Sequence, residues 1–509
     1  MESQISNNKT IAKNTMFLYI RTLIVLGISL YTSRVVLQVL GAEDLGIYNV
    51  VGGIVTMMSF FQAAQTKATS RFITYELGKH SSNNILQKVF SVCMTIHIII
   101  AITSLILGET VGLWIITHWT DIPLERQAAA MWVYQLALIV FCCQIVRVPY
   151  DAIVVAHERM SMYAYMSILE AVLLLGMAFL LMVTPGDSLI YYSASVALIA
   201  FIVFLCYYIY VRKLYNAYRY KPTWDKEYSM RILSFSGWTL LGSSANTATQ
   251  QGTNLLMNNF VGLIANAALG FASQVNIAVS KFVNGFSTAF TPQIIKLYAQ
   301  KEYESMHILM NRSSKFSFVL CYLMALPLIT NMGFILSLWL GNNIPMYTKE
   351  FCQLILVCTV VDATTGVYNT TITATGKIKY YQMAISISFL LDLACCYILL
   401  VCSVNPVFVF GSRILTRGII NMLIGLYYVK SYTYFDILYY SKTVLLNIIL
   451  TIIISIIPVY FIAKVTDGWM CLITTSFVSV FLIIVCTLYI IMTQSERKSV
   501  LSKLMHKLN

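Results

Sequence analysis

Long apolar segments recur along the whole chain and are separated by short polar stretches. A segment of about 20 apolar residues is long enough, as an α-helix, to cross the roughly 30 Å hydrocarbon core of a membrane. We find about fourteen such segments between residues 15 and 492. The pattern therefore predicts an all-α polytopic membrane protein with about 14 transmembrane helices.

Three of the predicted helices are more polar than the rest. They cover residues 46–66, 232–257 and 267–290 and are rich in small residues, amides and hydroxyls. Taken alone, the first and last of them would also fit soluble helices, but their apolar neighbours place them in the membrane. Polar groups are costly against lipid, so these helices must face other helices or water.

The charge distribution predicts the orientation. The chain is 58% hydrophobic and only 11% charged, whereas an average soluble domain is about 25% charged. With the N-terminus inside, the inner loops and tails contain 26 of the 34 basic residues, five lie within predicted helices, and the outer loops contain only Arg126, Lys349 and Lys464. Short cytoplasmic loops are expected to be rich in lysine and arginine. The net charge of +13 thus indicates a cytoplasmic rim facing the phospholipid bilayer, with both termini inside, and no nucleic-acid partner.

An internal repeat divides the chain. The segment "PYDAIVVAHERMSMYAYMSI" is followed in the second half by "VYNTTITATGKIKYYQMAIS", which aligns Tyr150 with Tyr368 and Arg159 with Lys377. A second pair of similar segments, "VLGAEDLGIYNVV" and "FVGLIANAALGFASQV", is separated by nearly the same number of residues as the first pair. The pattern indicates two six-helix lobes related by a parallel repeat. The predicted domains are an N-lobe at 1–220 (helices 1–6), a C-lobe at 221–430 (helices 7–12) and helices 13–14 with a basic tail at 431–509.

Helix 7 has a row of amide side chains. Asn246, Gln250 and Asn254 recur at four-residue steps, so they share one face of the helix. One interpretation is packing between helices, which polar residues often mediate in membranes. The other, which the density of polar groups favours, is a water-filled cavity whose amides suit sugar hydroxyls.

Helix 12 has two arginines deep in the membrane. Arg413 and Arg417 lie about 9 Å and about 15 Å from the outer side at 1.5 Å per residue, where an arginine costs about 2.5–3.5 kcal/mol even on lenient scales. The cost is offset either by pairing with Asp362 or Asp392, in helices 10 and 11, or by an anionic substrate, because guanidinium forks match phosphate oxygens. Both can hold, with the acids holding the arginines until substrate arrives.

Other ionisable residues in the predicted helices give weaker indications of function. His97 and Glu170 are candidates either for a proton relay or for contacts between helices. The sequence contains no catalytic, nucleotide-binding or metal-ligand motif in a credible context. The longest outer loop, at about 109–127, is too short for a catalytic domain. We therefore expect no enzyme activity, no cofactor and no metal site.

The chain resembles the lipid-linked oligosaccharide flippases, in the O-antigen and polysaccharide-repeat-unit branch of the superfamily that also contains multidrug and toxic-compound extrusion transporters. The resemblance rests on "LYTSRVVLQVLGAEDLGIYNVVGG", "AAQTKATSRFI" and "SGWTLLGSSANTATQQGTNLLMNNFVG" and covers essentially the whole chain. It implies transport of an undecaprenyl-diphosphate-linked glycan from the inner to the outer leaflet of a bacterial cytoplasmic membrane, by rocking of two lobes. The polysaccharide polymerase machinery is a further candidate partner.

The resemblance also implies roles for particular residues. A cationic cavity for diphosphate or acidic sugars would correspond to four basic residues: Arg34, Lys281, Arg413 and Arg417. The sugar-facing surface would be formed by Asn246, Gln250 and Asn254. Ion coupling would use Asp362 or Asp392. The alternative is a multidrug cation exporter of the same fold, which would need acidic groups that helix 1 lacks.

Overall fold

The computed structural model describes residues 2–56, 58–119, 122–341, 344–494 and 496–498. These residues are almost entirely helical and contain no β-strand. Among them, eleven helices are long and apolar enough to cross a membrane. The prediction of an all-α polytopic membrane protein is confirmed.

The helices follow one another along the chain with short connections, except at 108–126 and 331–347, which contain the shorter helices Leu113–Trp119 and Met332–Leu340. Those of the first half are α1 (Glu2–Thr56), α2 (Ser59–Gly78), α3 (Asn83–Leu107), α4 (Gln127–Ala156), α5 (Met160–Leu181) and α6 (Ser188–Leu214). Those of the remainder are α7 (Lys226–Phe260), α8 (Leu263–Ala299), α9 (Tyr303–Thr330), α10 (Thr348–Thr375), α11 (Lys379–Val401), α12 (Pro406–Thr433), α13 (Ile437–Val465) and α14 (Gly468–Ile491).

The described residues of the polar segments predicted at 46–66, 232–257 and 267–290 lie almost entirely in helices, and none of the three segments is among the eleven apolar spans. The first of them does not form one helix. Its early residues continue α1 beyond a break at Gly41, where φ is +74°, and its later residues belong to α2. Gly262, the repeat counterpart of Gly41, also has a positive φ, of +108°. Glycine adopts this conformation without a Cβ penalty, so both halves break the chain at equivalent places.

The chain forms two compact units. Unit 1 contains Met1–Ser243 and Thr288–Lys301, and unit 2 contains Ser244–Ser287 and Glu302–Asn509. The unit boundaries therefore fall inside α7 and inside α8. The division into N-lobe, C-lobe and appendage stays a prediction.

Charged contacts join the helix ends of unit 1 on the predicted outer side. Nε of Arg126, before α4, donates to Oδ1 of Asp44 at 2.9 Å, and Nη1 donates to Oδ2 of Asp187 at 2.7 Å. Asp187 also caps α6 by accepting from the backbone N–H of Leu189 at 3.0 Å. One arginine thus ties the part of α1 beyond Gly41 to the start of α6.

The turn between α4 and α5 is held by a residue in the left-handed conformation. Glu158 has a φ of +57°, and its carboxylate accepts from Nζ of Lys296 at 2.7 Å and from Nε2 of Gln293 at 3.1 Å. Beside it, burial lowers the pKa of His157 to about 4, and the neutral ring hydrogen-bonds the Tyr218 hydroxyl at 3.1 Å. The corresponding turn of the second half has Gly376 at the same place, with a φ of +75°.

Close helix packing organises unit 2. A Cβ on Gly425 of α12 would lie 2.8 Å from Cδ2 of Tyr368 on α10, so only glycine permits this approach. The last two helices pack against α9 through buried polar contacts. The Tyr322 and Ser455 hydroxyls lie 2.9 Å apart, and Nζ of Lys315 donates to the carbonyl of Ile491 at 3.1 Å. Helices α13 and α14 are therefore an integral part of this unit.

Candidate functional site

A cavity of about 570 Å³ lies within unit 2, lined by α7, α8, α10 and α12. Its size falls in the range of about 300–1,000 Å³ that is usual for small-ligand sites. Polar side chains come from all four helices. They are Asn246, Gln250, Asn254, Ser273, Asn276, Thr359, Asp362, Arg413 and Arg417.

Helix α7 contributes a row of amide side chains to the cavity wall. Asn246, Gln250 and Asn254 all line the cavity, because their four-residue spacing puts them on one face. Elsewhere on the helix, the Thr249 hydroxyl donates to the carbonyl of Phe389 on α11 at 2.8 Å. This contact ties α7 to α11. The structure thus brings the predicted amides together at one cavity, and their role in binding sugar stays a prediction.

Arg413 of α12 is anchored at one end of its guanidinium. Its Nε donates to Oδ2 of Asp392 at 3.2 Å, and Oδ1 of the same carboxylate accepts from the Thr416 hydroxyl at 2.5 Å. Asp392 is fully buried and Arg413 is 8% exposed. Nη2 of Arg413 is buried and has no hydrogen-bond partner among the described residues.

Arg417 also lines the cavity but has different partners. Its Nη2 donates to Oδ1 of Asn246, and its guanidinium carbon lies 4.9 Å from the centre of the Phe389 ring. Arg413 lies 5.3 Å from the Phe410 ring in the same manner. Such cation–π contacts help to stabilise a guanidinium away from water.

The turn that holds these arginines is not a regular α-helix. Residues Ile414–Ile419 form a π-helical turn, a feature that occurs often at functional sites. The turn follows Arg413 directly and includes Arg417. The spacing of the two arginines is therefore not that of an ideal helix, yet both side chains reach one cavity.

The two aspartates that the sequence left open as partners occupy different places. Asp392 pairs with Arg413, whereas Asp362 of α10 lies on the cavity surface. Within the part of the chain that the structure describes, the carboxylate of Asp362 makes no ion pair within 4.0 Å. The cavity thus contains one carboxylate that is available as an acceptor.

Two of the four predicted basic residues do not line the cavity. Arg34 is exposed on α1 in unit 1, and Lys281 is exposed on α8 in unit 2. Their proposed contact with substrate stays a prediction. Among the described residues, no group of three or more histidine, cysteine or acidic residues is arranged to hold a metal ion.

Sequence reasoning missed the aromatic and hydroxyl supports of the site. Phe389 and Phe410 gave no polar signal in apolar helices. Thr359 donates to Oδ1 of Asn276 at 2.7 Å and joins α10 to α8. Its position three residues before Asp362, on the same helical face, is the signal that would have indicated it.

Unit 1 has a charged cluster of its own. Nε of Arg147 lies 3.3 Å from Oδ2 of Asp151, and Nη1 lies 3.6 Å from Oε2 of Glu170. His97, the other proton-relay candidate, is buried, and its Nε2 lies 2.9 Å from the Thr69 hydroxyl. Both candidates therefore contact a neighbouring helix, as the second interpretation expected, and a relay role stays a prediction.

Comparison with known proteins gives two family matches. The family described as polysaccharide biosynthesis protein matches residues 11–298. The family described as MatE matches residues 243–398. No curated protein matches the chain.

Solved structures with the same fold are distant in sequence. A MATE protein in the straight conformation has a TM-score of 0.71 at 14% identity, over 84% of this chain and 97% of that one. The MATE transporter VcmN of Vibrio cholerae, in the bent form, has a TM-score of 0.69 at 16% identity, over 86% of this chain and 100% of that one. A MOP superfamily transporter from Pyrococcus furiosus, whose binding pocket is described as reversed in polarity, has a TM-score of 0.66 at 14% identity, over 82% of this chain and 94% of that one. These similarities show the fold.

Proposed function

Because this chain belongs to the polysaccharide biosynthesis protein family and has the MATE fold, we propose that it transports a lipid-linked oligosaccharide across a bacterial cytoplasmic membrane. The substrate is an undecaprenyl-diphosphate-linked repeat unit of an O-antigen, capsule or exopolysaccharide. It moves from the inner to the outer leaflet by alternating access, without a catalytic step. Both termini lie in the cytoplasm, in accord with the basic inner loops.

The observation that carries this proposal is the cavity of unit 2. Three amides in a row, two arginines and one carboxylate line it. Amides and a carboxylate offer hydrogen bonds to sugar hydroxyls, and the arginines offer paired N–H groups to an anion. A transport function supplies a reason for keeping two arginines in a membrane helix at a cost of several kcal/mol.

The proposal is tested by complementation of a bacterial strain that lacks its own glycan flippase, with strains of several glycan types. We expect the unaltered chain to restore surface glycan in at least one of them. Arg417→Gln should reduce export at least tenfold at equal expression, because Arg417 lines the cavity. Arg231→Gln is the matched control, since Arg231 is exposed and paired with Glu227. Full export by Arg417→Gln would refute the role of the cavity.

A second candidate is a multidrug cation exporter, favoured by the similarity to MATE structures and by the carboxylate of Asp362 in the cavity. Arg417, which lines the same cavity and makes no ion pair among the described residues, opposes the binding of a cation. The two functions differ in a susceptibility assay of a strain deprived of its drug exporters. Resistance to cationic dyes that depends on Asp362 would favour the exporter, and unchanged susceptibility would favour the glycan transporter.

A further inference from the structure

Four tyrosines form a cluster where the start of α11 meets the end of α12, within unit 2. The ring centre of Tyr428 on α12 lies 5.9 Å from that of Tyr381 on α11. It also lies 5.2 Å from the ring centre of Tyr427 and 5.6 Å from that of Tyr432. None of the four hydroxyl groups hydrogen-bonds another described residue. The cluster thus joins two helix ends through its rings and leaves its polar groups to the surroundings of the protein.

The first half contains the same pair of tyrosines in an enclosed position. Tyr207 and Tyr208, near the end of α6, stand 220 residues before Tyr427 and Tyr428. Tyr207 is only 3% exposed, and Cζ of Arg147 lies 5.7 Å from the centre of its ring. Tyr427, in contrast, is 64% exposed. Unit 1 therefore covers its tyrosine pair with its own side chains, whereas unit 2 presents the equivalent pair at its surface.

Three exposed lysines flank the tyrosine cluster of unit 2. Lys377 and Lys379 lie just before and at the start of α11, and Lys430 lies in the last turn of α12. Among the described residues, neither Lys377 nor Lys430 makes an ion pair within 4.0 Å. The next acid along the chain, Asp436, accepts from a backbone N–H at the start of α13 at 3.0 Å. Because ammonium groups can only donate, this surface favours an anionic ligand with acceptor oxygens.

The cluster lies at the depth of lipid headgroups on the predicted cytoplasmic side. Tyr427 follows the first residue of α12, Pro406, by 21 residues, which is about 32 Å at 1.5 Å per residue. The hydrocarbon core of a bilayer is about 30 Å thick. One turn closer to the membrane centre, Leu423 is exposed, as expected of a side chain against acyl chains. The anions available at the level of Tyr427 are therefore the phosphates of phospholipids.

We infer that the inner ends of α11 and α12 form a binding site for the headgroup of an anionic phospholipid, of the phosphatidylglycerol type. The phosphate is bound by Lys379 and Lys430, and the exposed rings of Tyr380 and Tyr427 flank the glycerol backbone. Basic pockets between membrane helices on the cytoplasmic side bind anionic headgroups in this manner. The inference goes beyond the proposed function, because the site includes neither the cavity nor a glycan.

The test is native mass spectrometry of the purified full-length protein in detergent, titrated with phosphatidylglycerol or with phosphatidylcholine of the same acyl chains. We expect the first phosphatidylglycerol to bind at least fivefold more tightly than the first phosphatidylcholine. Inorganic phosphate should not displace it, because the rings and the bilayer-facing surface select a lipid. This measurement on the unaltered chain does not depend on the folding of any variant.

Variants locate the site. Lys379→Gln combined with Lys430→Gln should lower the affinity for phosphatidylglycerol about 25-fold, since a lysine near the membrane surface contributes about 1 kcal/mol, or about fivefold. The affinity for phosphatidylcholine should not change. Lys213→Gln combined with Lys221→Gln is the matched control, because it removes two exposed lysines from unit 1. We expect it to lower the affinity less than twofold.

The aromatic part of the site is tested at Tyr427. Tyr427→Phe keeps the ring and removes only the hydroxyl, so it should weaken phosphatidylglycerol binding less than Tyr427→Ala does. Equal affinity of the unaltered chain for the two lipids would overturn the inference, as would displacement by inorganic phosphate. Equal losses in the two double-lysine variants would also overturn it, because they would show a diffuse attraction to the whole basic rim. None of these outcomes bears on glycan export, which the complementation assay measures.

Discussion

Each unit holds charged side chains within its membrane helices, but the two clusters are built differently. In unit 1, Arg147 is approached by two carboxylates, those of Asp151 and Glu170. In unit 2, Arg413 is paired with Asp392 at one nitrogen and unpartnered at another, and it lines a cavity. A buried arginine is therefore informative about function only when its hydrogen-bonding groups are incompletely satisfied and space for a ligand lies beside it.

The comparison is tested most strongly by removing the arginine of unit 1. Arg147→Met leaves two partly exposed carboxylates without their cation, and we expect it to lower the free energy of unfolding by about 2 kcal/mol. Chemical denaturation in detergent micelles measures the change. Arg231→Met is the control, since the exposed pair of Arg231 with Glu227 should contribute less than about 1 kcal/mol. Equal stability of the two variants would show that the cluster of unit 1 is not structural.

The aspartates of unit 2 provide the next test. Asp392→Asn leaves Arg413 without its buried counter-charge, and we expect a loss of about 2 kcal/mol in the free energy of unfolding. Asp362→Asn should change stability by less than about 0.5 kcal/mol, because Asp362 lies on the cavity surface. The same denaturation assay compares them. A larger loss for Asp362→Asn would contradict the structural role of Asp392 and the cavity-facing role of Asp362.

The smallest effect is expected at the turns that the two halves share. Gly376→Ala forces a side chain into a φ of +75° and should cost about 1 kcal/mol. Gly366→Ala, ten residues earlier within α10, meets no atom within 4 Å of the added Cβ and should be neutral or slightly stabilising. If both variants are equally stable, the left-handed turn is not a requirement of the second half. Glu158 shows that the first half tolerates a side chain there when Lys296 pairs with it.

Much of the architecture is predictable from the sequence, because the membrane imposes a simple rule on composition. Apolar segments of sufficient length must be helices, so the fold class follows from hydropathy alone. The break at Gly41 falls between the predicted helices at 15–40 and 46–66, where a turn is expected. The end of α1 at Thr56 and the start of α2 at Ser59, inside the segment at 46–66, were not predicted, since no proline, glycine or charge marks this place in the apolar run.

The site was predictable in part for a similar reason. A four-residue spacing fixes which side chains share a helix face, so the sequence predicts that the amides of α7 lie together and that the arginines of α12 lie together. Which helices face one another depends on rotation and packing, and these are set by contacts such as that of Gly425 with Tyr368. The exposed position of Lys281 on α8 likewise depends on how that helix is rotated.

The sequence by itself determined that this protein is a helical membrane protein and that its deep arginines need partners, because burying a charge without compensation is costly in any fold. Only the tertiary structure decided that Asp392, and not Asp362, pairs with Arg413, and that Asp362 is left at a cavity. The physical reason is that a hydrogen bond needs atoms within about 3 Å. That precision comes from the packing of α10, α11 and α12 and from the π-helical turn at Ile414–Ile419, none of which is encoded in a local pattern.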